Sequence, residues 1–486
     1  MRILYVSTEV YPALKTGGLA DVNAALPRAL MDAGEDVRLL LPAFPAIMAA
    51  AEAEGLVEVA RLQAPLPLPG AGTAVRVLRG SLSGVSAYLI EAGGLYAQPG
   101  NPYVDKQGHD WPDNHLRFAL LAWVASRFAD AGIDGWCPDI VHGHDWHAGL
   151  VPAYLAARGG ERPGCVFTVH NLGYQGQFPA ERFQELGLPA HFFSLTGLEF
   201  YGKLNFMKSG LHYADRITTV SPTYAHEIQT PEFGFGMDGL LRSRAGVLSG
   251  ILNGVDYAIW QPTTDVAIPA RYSASDPAGK ALCKAGLRAE LGLAALPGPL
   301  FCVVSRLSEQ KGLDLVLEVL PELVRAGGQL ALLGSGDSAL ESGFMAAQAR
   351  YPGAVSVRLG YDEALAHRLF AGSDVTLVPS RFEPCGLTQM YAMAYGALPL
   401  VRHVGGLADT VVDADAASLG AGTATGLVFA GATAPALREA LTRAFDLWRD
   451  AGRWARVRDC GMRQDFGWQP AAARYQALYR DLRPMA

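Results

Sequence analysis

The sequence has few cysteines and no apolar run suited to crossing a membrane. Its 486 residues include six Cys and no CxxC pair, which argues against a disulfide scaffold and indicates a reducing compartment. The longest uncharged stretch, 416–437, is rich in Gly, Thr and Ala and is therefore a poor bilayer span. The start, MRILYVSTEV, is too short for a signal peptide. We expect a cytoplasmic protein without a membrane partner.

A surplus of positive charge is also missing. The formal net charge is -7, and the Lys and Arg residues are scattered along the chain. This pattern argues against a nucleic-acid partner, because nucleic-acid phosphates are bound by clustered cations. No G-x-G-x-x-G motif opens the first β-α turn, which argues against a nicotinamide-dependent dehydrogenase.

Short runs of Val, Ile and Leu recur along the chain, and each is followed by a polar break and a helical pattern. The first series is RILYVST, VRLLLPA, DIVHGHD, CVFTVHN and RITTVS. After about residue 245 a second series begins, with LFCVVSRL, QLALLGSG, VSVRLG, DVTLVPS and LPLVRHV. This alternation predicts two doubly wound α/β domains with parallel sheets, and the boundary falls near residues 240–250.

One glycine motif occurs twice. KTGGLADV, residues 15–22, follows the first strand and opens a helix. Helix N-termini at the carboxyl ends of parallel strands bind anions, so this loop and Lys15 predict a phosphate-bearing ligand. The alternative is a tight turn with a solvated lysine. The second copy, HVGGLADTV at 403–411, comes late in its series. We interpret the two copies as glycine-rich helix starts that serve the same ligand, rather than as a duplicated repeat.

Two further loops carry charged residues after predicted strands. In VVSRLSEQKGLDL, Arg306 and Lys311 stand beside a helix start, a combination that suits a pyrophosphate. In PSRFEPCGLTQ, Glu383 precedes Pro384 at another helix start, which would hold its carboxylate at the edge of the sheet. Surface cations and a solvated loop glutamate are the alternatives.

Histidines are concentrated in two segments. VHGHDWHAG contains His142, His144 and His147, but this spacing matches no zinc pattern well, so we predict no metal site. FTVHNLGYQG places His170 and Asn171 after another buried strand, where both could bind hydroxyl groups. A structural role for His170 is the alternative.

Taken in order, KTGGLADV, HDWHAG, FTVHNLGYQG, ILNGVD, SRLSEQKGLD, SRFEPCGLTQ and GGLADTV resemble the bacterial glycogen synthases and the plant starch synthases. The resemblance implies the GT-B fold, in which two Rossmann-like domains face each other across a deep cleft. It implies retaining transfer of glucose from ADP-glucose to an α-1,4-glucan primer or glycogen, with no cofactor and no metal. The implied domains are 1–245 on the acceptor side, 246–457 on the donor side, and a returning helical segment, 458–486.

The resemblance also assigns residue roles. The catalytic set is Asp145, His170, Arg306, Lys311 and Glu383. The donor-binding set is Lys15, Gly17, Gly18, Arg306, Lys311, Tyr361, Cys385, Gly386, Leu387 and Thr388, with Tyr361 stacked on the base. The set near the transferred sugar and the acceptor is Asp21, Tyr96, Asn171 and Asn253.

Two positions depart from patterns known among related transferases. Many retaining GT-B enzymes have a second glutamate where this chain has Tyr391, a departure that agrees with the glycogen synthase subgroup. The family usually has Asp-Arg after the residue matching Tyr96, whereas this chain has Ala97 and Gln98. A glucan phosphorylase and a non-catalytic glucan- or nucleotide-binding protein are the rival interpretations. The residues do not distinguish ADP-glucose from UDP-glucose by physical argument.

Overall fold

The chain forms two compact units in a computed structural model that describes residues 1–53, 55–68, 74–105, 107–130 and 132–482. The first unit comprises Met1–Gly254 and the C-terminal segment from Trp468, and the second comprises Val255–Gly467. These divisions lie nine and ten residues beyond the sequence-based boundaries at 245 and 457. The backbone N–H of Val255 donates to the carbonyl oxygen of Phe466 (2.7 Å), which joins the two ends of the second unit. Residues 483–486 of the predicted C-terminal segment lie outside the described residues.

The first unit is built on a large, mainly parallel sheet. The strands of the first unit, β1 to β12, are Arg2–Val6, Asp36–Pro42, Val57–Gln63, Ala74–Leu82, Val85–Glu91, Ile140–His144, Gly164–Val169, Gln177–Pro179, Glu199–Phe200, Lys203–Asn205, Arg216–Thr219 and Leu248–Gly250. Its helices α1 to α8 are Gly18–Asp32, Pro45–Glu52, Gly93–Tyr96, Asn114–Arg127, Val151–Arg158, Phe206–Tyr213, Pro222–Glu227 and Asp238–Ser243.

Among the described residues, the main sheet has the order β12-β11-β7-β6-β1-β2-β5-β4-β3. The strands from β12 to β5 pair in parallel, whereas β4 and β3 extend the sheet as antiparallel strands. The central parallel strands β1, β2, β5, β6 and β7 are largely buried, as expected when helices cover both faces of a sheet. A small antiparallel sheet, β8-β10-β9, lies outside this series.

The second unit contains one fully parallel sheet in its described residues, with the order β15-β14-β13-β16-β17-β18. Strands β13 to β18 are Leu300–Val304, Gln329–Gly334, Val355–Leu359, Val375–Val378, Leu398–Arg402 and Leu427–Phe429. Helices α9 to α17 are Ala278–Leu291, Leu313–Arg325, Ser338–Arg350, Glu363–Gly372, Thr388–Ala394, Gly405–Thr410, Ala416–Ala421, Ala434–Arg449 and Ala451–Met462. The predicted class, two α/β domains with parallel sheets, is confirmed.

The last helix, α18 (Gln469–Asp481), belongs to the first unit. Tyr475 and Tyr479 are buried there, and the hydroxyl of Tyr479 lies 2.8 Å from Nδ1 of His142 in β6. No helix in the described part of the chain combines the length and the apolar character needed to span a bilayer.

In each unit the strand order of the main sheet reverses beside the first strand, and this reversal is the switch point of the sheet. Strand order reverses between β1 and β6 in the first unit and between β13 and β16 in the second. Open α/β sheets bind ligands outside the carboxyl ends of the strands at such points. The loops after these four strands are therefore the candidate site segments.

Candidate active site

The loop after β1 carries the first glycine motif. Nζ of Lys15 lies 2.8 Å from Oδ1 of Asp21 in the first turn of α1, and both side chains are about one-fifth exposed. Gly18 at the start of α1 is exposed, and a Cβ built on Gly17 would have open space around it. The start of α1 is thus accessible to a ligand. The predicted donor-binding residues Lys15, Gly17 and Gly18 lie together there, with Asp21 beside them.

The buried carboxylate of Glu9 holds this loop through hydrogen bonds. The carboxyl oxygens of Glu9 accept hydrogen bonds from the backbone N–H of Thr16 (2.6 Å), the Thr16 hydroxyl (2.7 Å) and the Tyr103 hydroxyl (2.5 Å). Burial raises the pKa of Glu9, and these donors partly offset that increase. Sequence reasoning missed this residue, although an acidic residue directly after a buried strand was a usable signal.

The loops after β6 and β7 meet at Asp145. Its Oδ1 accepts hydrogen bonds from the backbone N–H groups of His170 (2.9 Å) and Asn171 (3.3 Å). Asp145 has φ +58° and ψ -179°, a conformation that is essentially restricted to glycine and costs about 1–3 kcal/mol. Burial raises the pKa of Asp145 to about 7. The structure therefore brings together Asp145, His170 and Asn171, three of the predicted residues.

His142, His144 and His147 are buried, and the ring of His170 lies beside that of His144. The His144 ring stacks on Tyr5, with ring centroids 4.0 Å apart, and its Nδ1 lies 3.0 Å from Nε2 of His170. Burial lowers the pKa of His170 to about 3, so its imidazole is neutral near pH 7. Within the described ranges, no group of three or more His, Cys, Asp and Glu side chains is arranged to hold a metal ion.

In the second unit, Lys311 and Glu383 form a charged pair between the two loops at the switch point. Nζ of Lys311, in the loop after β13, lies 2.9 and 2.7 Å from the two carboxylate oxygens of Glu383, in the loop after β16. The hydroxyl of Ser380 donates to Oε2 of Glu383 (2.7 Å). Glu383 is buried, and these contacts orient its carboxylate at the carboxyl edge of the sheet. Ser380 was not among the predicted site residues, although it lies in the same motif.

The second glycine motif has a different function from the first. Gly405 and Gly406 are buried, and the backbone N–H of Gly406 donates to the carbonyl oxygen of Glu383 (3.1 Å). A Cβ on Gly406 would lie 2.0 Å from the carbonyl oxygen of Cys385, and one on Gly405 would lie 1.9 Å from that of Glu383. These glycines therefore let helix α14 pack directly on the Glu383 loop. This packing role was not part of the interpretation that both glycine pairs serve a ligand, and a ligand at the start of α14 stays a prediction.

The remaining predicted donor-binding residues lie on loops at the same edge of the second sheet. Cys385 is buried, and Gly386, Leu387 and Thr388 follow it into α13. Arg306 is exposed in the loop after β13. Tyr361 follows β15; the residue is 71% exposed, and its hydroxyl donates to Glu363. This edge presents cations, an open aromatic ring and helix starts, a set that suits a nucleotide diphosphate.

Comparison with known proteins decides the family. The family model described as "Starch synthase catalytic domain" matches residues 2–243, and the one described as "Glycosyl transferases group 1" matches residues 293–456. A glycogen synthase of Leptothrix cholodnii is 55% identical over 99% of this chain and 100% of its own. One from Yersinia pestis is 53% identical, with the same coverage. The chain belongs to the glycogen synthase family.

Solved structures agree with this family assignment. The catalytic domain of starch synthase IV from Arabidopsis thaliana, bound to ADP and acarbose, matches with a TM-score of 0.87 and 32% identity over 99% of both chains. Sucrose-phosphate synthase from Thermosynechococcus elongatus matches with a TM-score of 0.61 and 20% identity, over 99% of this chain and 98% of its own, which shows the fold alone. The predicted glycogen synthase family and its glycosyltransferase activity are confirmed.

One residue predicted from the family resemblance is not at a binding surface. Tyr96 is buried at the end of α3, its ring contacts Phe44, and its hydroxyl donates to the carbonyl oxygen of Arg117 (2.5 Å). The side chain of Tyr96 therefore packs in the core, and its place near the sugar stays a prediction. Asn253, also assigned to the sugar, is buried in the segment after β12.

Tyr391, which stands where many retaining GT-B enzymes have a second glutamate, has a structural role. The Tyr391 ring stacks on Trp260, with centroids 4.1 Å apart, and the other face of Trp260 stacks on His367 at 3.9 Å. Nδ1 of His367 lies 2.7 Å from Asp265. Tyr391 thus anchors helix α13, which begins at Thr388, to the segment before α9.

Proposed function

We propose that the chain transfers glucose from ADP-glucose to the non-reducing 4-hydroxyl of an α-1,4-glucan, such as glycogen. The anomeric configuration is retained, ADP is released, and neither a metal nor another cofactor takes part. The reaction takes place in the cytoplasm. The observation that carries this proposal is the Lys311–Glu383 pair at the switch point of the second sheet, in a chain whose close relatives are named glycogen synthase. The ADP bound to the Arabidopsis relative supports an adenine nucleotide as donor.

The difficult step breaks the bond between the anomeric carbon and a phosphate oxygen. Negative charge develops on the departing diphosphate, and fixed donors aimed at such charge are usually the largest catalytic contribution. Lys311 and Arg306 in the second unit, and Lys15 with the start of α1 in the first, are the donors we assign to it. Loss of one such donor typically costs about 3 kcal/mol in the transition state.

In this proposal, the contact between Lys311 and Glu383 is replaced by a contact between Lys311 and the diphosphate. In the structure, the ammonium of Lys311 contacts both carboxylate oxygens of Glu383. When a diphosphate binds, we expect the ammonium to turn toward the phosphate oxygens, while Ser380 continues to hold Oε2 of Glu383. The carboxylate then stabilises the positive charge that develops on the sugar. The acceptor hydroxyl attacks from the face that the diphosphate leaves, and its proton passes to the departing phosphate oxygen.

The first unit recognises sugar hydroxyl groups in this scheme. Burial keeps His170 neutral near pH 7, so its ring offers hydrogen bonds without adding positive charge beside the reacting sugar. Asp145 orders the backbone at His170 and Asn171 through its two hydrogen bonds. We assign Asp145 and His170 to the transferred glucose, and Asp21, Asn171 and Asn253 to the sugar and acceptor.

The test measures nucleoside diphosphate release by the purified protein after EDTA treatment. ADP-glucose and UDP-glucose are each supplied with and without glycogen. Primer-dependent release of ADP, with α-1,4 bonds in the product, is the expected result. Faster release of UDP would overturn the donor assignment but leave the transferase, and release from neither donor would overturn the whole proposal.

A further inference from the structure

His144, the last residue of β6, is a buried imidazole to which the proposed function assigns no role. Its ring stacks on Tyr5 of β1, with centroids 4.0 Å apart, and the centroid of the His142 ring also lies 4.0 Å away. The residue is fully buried. Close packing of this kind holds a side chain in one rotamer. The two ring nitrogens of His144 therefore have fixed positions.

One of these nitrogens contacts a residue of the candidate site. Nδ1 of His144 lies 3.0 Å from Nε2 of His170, in the loop after β7. Burial lowers the pKa of both histidines, in the case of His170 to about 3, so each ring is neutral near pH 7 and carries one N–H. A hydrogen bond between two neutral imidazoles needs one donor and one acceptor. The tautomer of His144 therefore sets that of His170.

The surroundings of the other nitrogen indicate which ring donates. Nε2 of His144 is buried and has no hydrogen-bond partner within the described part of the chain. A proton on Nε2 would leave a buried N–H group without an acceptor, which is costly and rarer in proteins than an unpaired acceptor. The proton of His144 therefore belongs on Nδ1, from which it donates to Nε2 of His170. The proton of the neutral His170 ring is then on its Nδ1.

This Nδ1–H group of His170 is available to a ligand. The backbone N–H of His170 donates to Oδ1 of Asp145 (2.9 Å), which holds the main chain. Among the described residues, the contact with His144 is the one hydrogen bond that the His170 ring makes. His170 is partly exposed, whereas His144 is buried. The backbone and one ring nitrogen are thus occupied, and Nδ1–H is the remaining polar group of the ring.

We propose that His144 is a positioning residue for glucosyl transfer: it holds the tautomer of His170 in which Nδ1–H donates to a hydroxyl oxygen of the transferred sugar. This inference rests on the proposed function, in which His170 contacts that sugar. Without His144, both neutral tautomers of His170 would be populated, and only one of them can donate from Nδ1. A donor that is fixed before the sugar binds needs no reorganisation during the reaction. His144 acts through His170 and does not itself touch the substrate.

The tautomer of His170 can be measured in a protein without activity. The 11 histidines are labelled with a heavy nitrogen isotope, and long-range proton–nitrogen correlation spectra near neutral pH distinguish Nδ1–H from Nε2–H rings. The signals of His170 are identified by their loss in His170→Asn. The second measurement is kcat/KM for ADP-glucose with glycogen as primer.

Three variants separate the hydrogen bond from the packing. His144→Phe keeps an aromatic ring against Tyr5 and removes the hydrogen bond to His170. His144→Asn restores a donor, because the amide nitrogen of Asn can occupy the position of Nδ1. His147→Phe is the matched control: His147 is also buried, stacks on Tyr103 with centroids 4.3 Å apart, and has an Nδ1 without a partner among the described residues. No hydrogen bond within the described ranges joins it to His170.

We expect His170 of the wild type to be protonated at Nδ1. In His144→Phe, the Nε2–H tautomer of His170 should appear, and kcat/KM should fall about 3- to 10-fold because a fixed donor to the sugar is lost. His144→Asn should keep the wild-type tautomer. His147→Phe should keep both the tautomer and kcat/KM.

A wild-type His170 protonated at Nε2 would overturn the inference, and that result needs no variant. An unchanged tautomer in His144→Phe, or the same change in His147→Phe, would also contradict it. Loss of the tautomer in His144→Asn would assign the effect to packing rather than to the hydrogen bond, against the proposal. A changed tautomer with wild-type kcat/KM would refute the role in transfer. A changed tautomer in His144→Phe, in a protein that releases no nucleoside diphosphate, would support the control of His170 by His144 while the proposed function fails.

Discussion

The ammonium of Lys311 lies within hydrogen-bonding distance of both carboxylate oxygens of Glu383, although 72 residues separate them. The contact exists because β13 and β16 are neighbours in the second sheet, so the loops after them meet at its carboxyl edge. The same unit contains a comparable lysine–carboxylate pair at the amino edge of the sheet. Nζ of Lys284 lies 2.6 Å from Asp374, which directly precedes β16. The two pairs have similar exposure, so they form a matched comparison.

Lys311→Ala is expected to lower kcat at least 100-fold, because it removes a donor to the departing diphosphate. It should also lower the free energy of unfolding by about 2 kcal/mol, since Glu383 loses its charged partner. The measurements are ADP release under saturating substrate and urea unfolding. Lys284→Ala is the control, with a similar loss of stability and an unchanged kcat. Equal turnover in the two variants would contradict the assignment of Lys311.

Asp145→Asn is expected to change how stability depends on pH. The folded-state pKa of Asp145 is raised to about 7, so its ionisation costs stability as pH rises from about 4 through 7. Asn can still accept the backbone hydrogen bonds and carries no charge. The stability of the variant relative to wild type should therefore increase by roughly 2–3 kcal/mol between pH 5 and pH 8. Urea unfolding at several pH values measures this difference, and a constant difference would contradict the burial of an ionisable carboxyl group.

Gly406→Ala is expected to displace the loop that carries Glu383. The new Cβ would approach the carbonyl oxygen of Cys385 to 2.0 Å, and backbone must move to relieve that contact. We expect a loss of about 1–3 kcal/mol in stability, together with a lower kcat. Gly420→Ala is the control, since a Cβ there meets nothing within 4 Å. Wild-type thermal stability and turnover in Gly406→Ala would contradict the assigned packing role.

Lys15→Gln is expected to raise KM for the nucleotide sugar about 10-fold, equivalent to 1.4 kcal/mol, because the loop after β1 loses its positive charge. The effect should diminish with added salt, which screens accessible charges. Arg2→Gln provides the control, because Arg2 begins the same strand and its side chain pairs with Asp139. A similar change in KM for both variants would indicate a general effect of net charge.

Much of the architecture could be predicted from sequence. All ten predicted parallel strands occur within a few residues of their expected positions, because strands buried on both faces must be continuously apolar. The parallel strands β5, β12 and β18, the antiparallel strands β3 and β4, and the small sheet were missed. Strands β3 and β4 are partly exposed, and β12, β18 and the strands of the small sheet have at most three residues, so they lack a long apolar run. That reason does not apply to β5, which is mostly buried.

Several predicted site residues lie on loops that follow strands. His170, Glu383 and Lys311 come after β7, β16 and β13, at the carboxyl edges that their motifs indicated. The burial of Tyr96 was not predicted, because a tyrosine in a glycine-rich segment looks the same in sequence whether its ring is buried or exposed. Ser380 and Glu9 were missed because their importance depends on a partner in space.

The sequence by itself determined that the chain alternates strands and helices in two series, and that charged residues follow particular strands. Hydrophobic periodicity and local motifs carry that information over short distances. Only the tertiary structure decided which strand ends are neighbours, and so which charges pair. It also distinguished the two glycine motifs: α1 starts at an accessible surface, whereas α14 packs on the backbone around Cys385. Such contacts depend on strand order and on close approach between distant segments, and neither is encoded in local sequence.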